Sequence, residues 1–176
     1  MNAHPLLSAR GIRKTFGQFV ALNNINFDLP AGEKHALIGP NGAGKSTFIA
    51  CIAGQLPGVE GTVLFKGDDI TKATPVDLAR QGIGRTFQIS RAFLDMSVLE
   101  NMTSAFVIAN GAWASLRRSV LAEATDRGQT MLETVGLQHR AGTRVADLSL
   151  GDRKRLEFGM ALANDPDLLL LDEPTA

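Results

Sequence analysis

Net charge, cysteine and long apolar runs are all scarce in this chain of 176 residues, and each scarcity closes off a class of function. Basic and acidic side chains balance at 18 each, so no overall charge draws the chain broadly onto nucleic acid, although a local basic patch stays open. The one cysteine, Cys51, excludes an internal disulfide. Its place reads as a small buried residue rather than a reactive thiol, and a reducing cytoplasm fits. The N-terminus offers only Leu6-Leu7 as an apolar centre, too little for a signal peptide. The longest apolar-leaning stretch, 105–116, is broken by Asn110, Gly111 and Ser115, so neither segment spans a membrane. Any membrane role must therefore come through partners. The length suits one sizeable core with at most one appended subdomain.

What is present is a phosphate-binding pattern. Gly39-Pro40-Asn41-Gly42-Ala43-Gly44-Lys45-Ser46-Thr47 matches G-x-x-x-x-G-K-S/T in full, after the short apolar run Ala36-Leu37-Ile38 and before a helix-like stretch. The glycines allow backbone N–H groups to curl around phosphate oxygens. Lys45 carries a point charge to the β/γ-phosphates, and the Ser46 hydroxyl can bind Mg²⁺. The helix that follows adds its positive dipole end. A Gly-rich turn with no ligand is the plain alternative.

Along the chain, residues 6–16, 19–22 and 25–29 read as strands separated by Gly17-Gln18 and Asn23-Asn24, and Pro30-Ala31-Gly32-Glu33 turns the chain into a strand at 36–38. Phe48, Ile49, Ile52 and Ala53 share a helical face that Gly54 ends. A strand is expected over 62–65, a helix start at Thr74-Pro75-Val76-Asp77, and a strand over 83–87. From Gln88 the texture turns helical, opened by the capping box Ser97-Val98-Leu99-Glu100 and continuing to Leu137. The four leucines 168–171 read as a strand of a parallel sheet buried on both faces. Asp172 and Glu173 then stand at its carboxyl end, where open α/β sheets bind ligands. Asp172 is placed to hold Mg²⁺ through water, and Glu173 to polarise an attacking water.

Leu148-Ser149-Leu150-Gly151-Asp152 precedes a helical pattern at Leu156, Met160 and Ala163, and Ser149 with Asp152 is by itself a sufficient helix cap. Phosphate loop, Gln88, this pentapeptide and 168–173, in that order, resemble the ATPase subunit of ABC transporters over essentially the whole chain. The resemblance implies an α/β P-loop NTPase fold, a RecA-like core with an N-terminal antiparallel β-subdomain and an inserted α-helical subdomain. The corresponding division is 1–87 for the β-subdomain and nucleotide-binding core, 88–149 for the helical signature subdomain, and 150–176 for the signature helix and Walker B strand. It implies ATP and Mg²⁺ as ligands, with Ser149 and Gly151 capping the γ-phosphate of a partner subunit's nucleotide. Gln88 becomes the Q-loop residue that touches Mg²⁺ or the attacking water, and Phe16 the aromatic that stacks on adenine, with Phe19 its rival. Leu150 replaces the first glycine of the family's L-S-G-G-Q signature and Asp152 its glutamine. The acid at a helix N-terminus, followed by Arg153, Lys154 and Arg155, reads as a tolerated variant.

Gly82-Ile83-Gly84-Arg85-Thr86-Phe87-Gln88, then Met96-Ser97-Val98-Leu99-Glu100-Asn101 and Arg155-Leu156-Glu157, are similar to the ATPase subunits of bacterial branched-chain amino-acid and urea/amide importers. The implied partners are integral-membrane permease subunits, a second ABC ATPase, identical or paralogous, and indirectly a periplasmic solute-binding protein, with no nucleic acid. The implied place is the cytoplasmic face of the bacterial inner membrane, reached through the permease. Residues 89–96 would receive a cytoplasmic permease helix. The family continues with a D-loop and a switch histidine, and none of His4, His35 or His139 follows Glu173. By that comparison the stretch is a C-terminally truncated piece, inactive alone in hydrolysis. Competing readings are a nucleotide-binding fragment without turnover, and a soluble ABC ATPase of DNA repair or translation. The space from Gln88 to Leu148 disfavours the latter, having no room for a long coiled coil and no sustained heptads.

Overall fold

The computed structural model describes residues 5–85, 92–109, 118–163 and 165–171. The chain divides into two compact units, Met1–Leu78 and Ala79–Ala176.

The first unit is built on an antiparallel sheet of β1 (Leu7–Phe16), β2 (Phe19–Leu29), β3 (Glu60–Phe65) and β4 (Asp68–Asp69), in the order β2-β1-β3-β4. Leu7, Ala9, Ile12, Val63 and Phe65 are buried, which supplies the hydrophobic drive for the sheet. The Gly17-Gln18 turn closes the first hairpin, with Phe16 opposite Phe19. Asn23-Asn24 does not separate two strands as expected. β2 runs through it, and the register steps from Ile12 opposite Ile25 to Lys14 opposite Leu22. Asn24 takes φ 54°, a left-handed conformation that asparagine tolerates, so the extra residue is absorbed as a bulge.

Helix α1 (Lys45–Ile52) buries Phe48, Cys51 and Ile52. It packs toward β2 through an edge-to-face contact between Phe48 and Phe27, with centroids 5.7 Å apart. The strand expected at 36–38 is not formed: residues 33–40 are irregular and exposed. A strand exists by virtue of a hydrogen-bonded neighbour. The described strands of this unit are all used in the four-stranded sheet, and the turn at Pro30 leads the chain out of it.

Helix α2 (Pro75–Arg80) starts as its sequence dictates: the Thr74 Oγ1 hydroxyl donates to Asp77 Oδ2 at 2.6 Å, and the Asp77 N–H donates back to Thr74 Oγ1. β5 (Ile83–Arg85) pairs in parallel with β6 (Leu168–Leu170), Ile83 opposite Leu168. Leu168 is buried, whereas Leu169 and Leu170 are half-buried rather than covered on both faces. Between these strands lie α3 (Val98–Ala109), α4 (Arg118–Thr134) and α5 (Leu150–Leu162). Their shared core holds Val98, Met102, Phe106, Leu132, Leu137, Val145 and Leu156. Gly159 lies at this contact: a Cβ there would stand 2.6 Å from Met102 Cε, the end of a flexible side chain, and 3.3 Å from Met131 Cγ. The described elements are thus an antiparallel β-subdomain, a parallel pair of strands and a helical subdomain inserted between them in the sequence.

The box opening α3 is complete, with the Ser97 N–H donating to Glu100 Oε2 at 2.7 Å and the Glu100 N–H donating to Ser97 Oγ at 3.2 Å. The Ser97 N–H, and after it the Ser97 hydroxyl, hold the Glu100 carboxyl below its ordinary value of 4.5. A depressed carboxyl contributes stability above the unfolded value and loses it as pH falls through the folded one. Thermal melts of Glu100→Gln should therefore show less loss of stability below about pH 4.5 than the parent protein. Identical acid limbs for the two would show that the box carries no folding energy.

Candidate functional site

The phosphate-loop residues all belong to the first unit. Ala43 N–H donates to Pro40 O at 3.2 Å, which closes a turn over Pro40-Asn41-Gly42-Ala43, and Gly44 delivers the chain into α1 as its N-cap with φ 87°. No side chain caps that helix end. The first-turn amides and the positive end of the helix dipole are thus offered from a glycine with no Cβ in the way. A Cβ on Gly44 would lie 2.9 Å from both Ala21 O and Leu22 Cδ2, so the loop is seated directly against β2. Lys45 folds back over the loop, its ammonium donating to Gly39 O at 2.7 Å and Pro40 O at 2.9 Å. Ser46 is exposed and Thr47 half-buried in the first turn of α1. This arrangement fits a phosphate group: a cation and a helix N-terminus converge on one short, exposed loop.

Phe16 ends β1 with 48% of its surface exposed, and Phe19 opposite it is more exposed still at 65%. Both stand on the hairpin whose second strand carries Ala21 and Leu22 against Gly44, so the hairpin that bears the aromatic candidates is also the hairpin that supports the loop. Cys51 is buried in α1; burial pushes its thiol up, with the nearby Lys14 charge opposing in part, and it is structural. His35 pairs with Glu33 at 2.8 Å and meets the Phe27 ring edge-on, a local surface role.

Ser149 and Gly151 belong to the second unit. Ser149 is the N-cap of α5, its Oγ accepting from the Asp152 N–H at 3.1 Å, and the Asp152 carboxylate faces Arg155 at 3.7 Å. Leu150 projects outward, 68% exposed. Arg153 donates to Ala146 O, which ties the first turn of α5 to the 3₁₀ turn Val145–Asp147. That turn is itself stitched to the segment before α3. Val145 N–H donates to Met96 O, Ala146 N–H to Leu94 O, and Val98 N–H to Thr143 O. Phe93 and Leu94 lie exposed in this segment. Their backbone is held by the wholly buried Asn101, which accepts from Phe93 N–H at 2.7 Å and donates to Phe93 O at 3.0 Å and Ser97 O at 2.9 Å. Gln88, Asp172 and Glu173 lie outside the described residues.

Sequence reasoning passed over two residues with site contacts, Lys14 and the clamping role of Asn101. Each carried a signal. Lys14 is in phase with buried Ile12 on β1, and Asn101 falls on the α3 face of Val98 and Met102. A polar residue in an inward phase requires a partner.

Loop, hairpin and serine-capped helix define the class as a P-loop nucleotide-binding cassette. The sequence model of the ABC transporter family matches residues 22–176. The high-affinity branched-chain amino acid transport ATP-binding protein LivG of Escherichia coli is 38% identical over 181 residues, which cover 99% of this chain and 71% of that protein. The sulfate/thiosulfate import ATP-binding protein CysA of Nocardia farcinica is 37% identical over 96% of this chain and 48% of its own length. The crystal structure of the ADP conformation of an ABC transporter's ATP-binding cassette superposes with a TM-score of 0.82 at 33% identity, over 99% of this chain and 70% of that one. The chain belongs to the ABC transporter family and is an ATP-binding cassette, an ATPase by class.

Because Gly44 is left-handed and a Cβ on it would stand 2.9 Å from the Ala21 carbonyl oxygen, Gly44→Ala should displace the loop from β2. Titration calorimetry should then find nucleotide affinity reduced at least tenfold, together with a lower melting temperature, which one strained non-glycine residue suffices to cause. Unchanged affinity and melting would mean that the loop seats by other contacts.

Proposed function

We propose that this chain is the ATP-binding part of an importer subunit that couples ATP hydrolysis to solute uptake through membrane permease partners, with branched-chain amino acids or related small amino acids and amides as the solute class. The observation that carries the reading is the Lys45 ammonium and the uncapped α1 N-terminus converging on one loop, in a chain 38% identical to a branched-chain amino acid transport protein along nearly its whole length. A sulfate/thiosulfate import ATP-binding protein is 37% identical as well, so in this reading the solute is decided by the partners that recognise it.

In this reading residues 39–47 hold the triphosphate, Lys45 exchanging its carbonyl partners for β/γ-phosphate oxygens, which are the stronger acceptors. Phe16 stacks on adenine. Ser46, Gln88 and Asp172 hold Mg²⁺, which neutralises charge on the phosphates when bound. Glu173 polarises the attacking water, and Gln88 relates the helical subdomain to the core. Ser149 and Gly151 act in trans on the nucleotide of a second ATPase subunit, with α5 aiming its N-terminus at the γ-phosphate. The three-part division 1–87, 88–149 and 150–176 follows these roles.

The exposed Phe93 and Leu94, in the segment stitched to the turn before α5, are the surface for a cytoplasmic permease helix. A path of hydrogen bonds then runs from that surface to Ser149, from Leu94 O to the Ala146 N–H, from Ala146 O to the Arg153 side chain, and from the Arg153 N–H to Ser149 O. Among the described residues no helix is long and apolar enough to cross a membrane. The subunit sits at the cytoplasmic face of the inner membrane through its permease, supplied by a periplasmic binding protein.

The test uses the complete transporter in vesicles with leucine as substrate. Lys45→Ala should lose MgATP binding, whereas Glu173→Gln should keep binding and lose turnover and leucine uptake by roughly 10²–10⁴-fold. A Glu173→Gln transporter hydrolysing at near the parent rate contradicts the assignment. Hydrolysis indifferent to permease and leucine contradicts the coupling.

A further inference from the structure

Lys14 is 8% exposed, on a strand position whose neighbour in phase, Ile12, is wholly buried. A buried ammonium is costly unless it is partnered, and an aliphatic residue would fill this position at less cost. Lys14 has two partners. Its Nζ donates to Pro57 O at 2.5 Å, in the loop after α1, and it lies over the Phe16 ring, 5.1 Å from the centroid. The Gly58 position is close as well, since a Cβ there would be 3.8 Å from Lys14 Nζ. One charge thus ties the tip of the β1–β2 hairpin to the segment leaving the phosphate-loop helix. It does so through an aromatic ring that keeps almost half its surface in solvent.

We propose that Lys14 is a positioning residue for the nucleotide base: its ammonium holds the Phe16 ring from one side, leaving the other side as a fixed platform on which a purine stacks. The proposal rests on the reading of Phe16 as the adenine contact, and it explains why Phe16 rather than the more exposed Phe19 serves. A ring held from behind does not lose its rotamer freedom on binding. A cation on one face also draws electron density toward that face and favours the electron-rich purine on the other.

The experiment is titration calorimetry of the purified protein with MgATP and, separately, with magnesium tripolyphosphate, which has the phosphate chain and no base. Lys14→Met keeps the stem and removes the charge. It should weaken MgATP binding about three- to tenfold, the scale of one cation–ring contact, and leave tripolyphosphate binding unchanged. Lys14→Arg should restore ATP affinity. Phe16→Ala should weaken ATP selectively, and Lys14→Met added to it should cost nothing more, because the lysine acts through the ring. Equal loss of ATP and tripolyphosphate affinity in Lys14→Met would reduce Lys14 to a structural tie and overturn the proposal. So would a selective effect of Phe16→Ala with none from Lys14→Met. If Phe16→Ala leaves ATP affinity intact, the base lies elsewhere, and the underlying reading fails first.

Discussion

The close approach of Gly44 to the backbone of β2 is the constraint on which the nucleotide end of the molecule depends. With a carbonyl 2.9 Å from where a Cβ would be, the residue before α1 must be glycine, and its left-handed φ of 87° sets the angle at which the helix leaves the loop. That angle decides where the first-turn amides and the positive end of the dipole point. The same contact makes the loop's position depend on the hairpin of β1 and β2. Anything that shifts this hairpin, including the bulge at Asn24 or the Lys14 contact with Phe16, bears on the loop as well. Sheet, hairpin aromatics and the loop at 39–44 are therefore parts of one support.

In the second unit the equivalent support is polar and buried. Asn101 uses its carbonyl oxygen and both amide hydrogens on the backbone of Phe93 and Ser97, and a fully satisfied buried amide of this kind specifies one conformation of the segment it holds. Around it, Leu94, Met96 and Val98 exchange backbone hydrogen bonds with Thr143, Val145 and Ala146, and Arg153 extends the network to the first turn of α5. Exposed apolar residues at one end and a capped helix N-terminus at the other are thus joined by hydrogen bonds rather than by loose loop.

Much of this was legible in the residues themselves. The glycine turn into α1 stands where its pattern puts it, and the boxes at Thr74 and Ser97 form the bonds their spacing implies, because a capping box is a local motif that owes little to distant packing. The helical insert and the parallel pair of β5 and β6 follow from periodicity and from the leucine run. The failures share a cause. Asn23-Asn24 resembles a turn locally, but pairing along the whole of β1 carries the strand through it. Ala36-Leu37-Ile38 resembles a strand locally, but a strand is a property of two segments and no described neighbour pairs with it. Lys14 and Asn101 are polar residues in inward phases, and the identity of their partners, Pro57 and Phe93, is tertiary information.

Amide hydrogen exchange across residues 39–47, with and without saturating MgATP, reads the loop's own N–H groups. If those amides and the α1 N-terminus cradle the triphosphate, MgATP should slow exchange in this segment at least tenfold, and magnesium tripolyphosphate should protect the same amides. Protection elsewhere in the chain, with the loop exchanging as fast in bound as in free protein, would contradict the account.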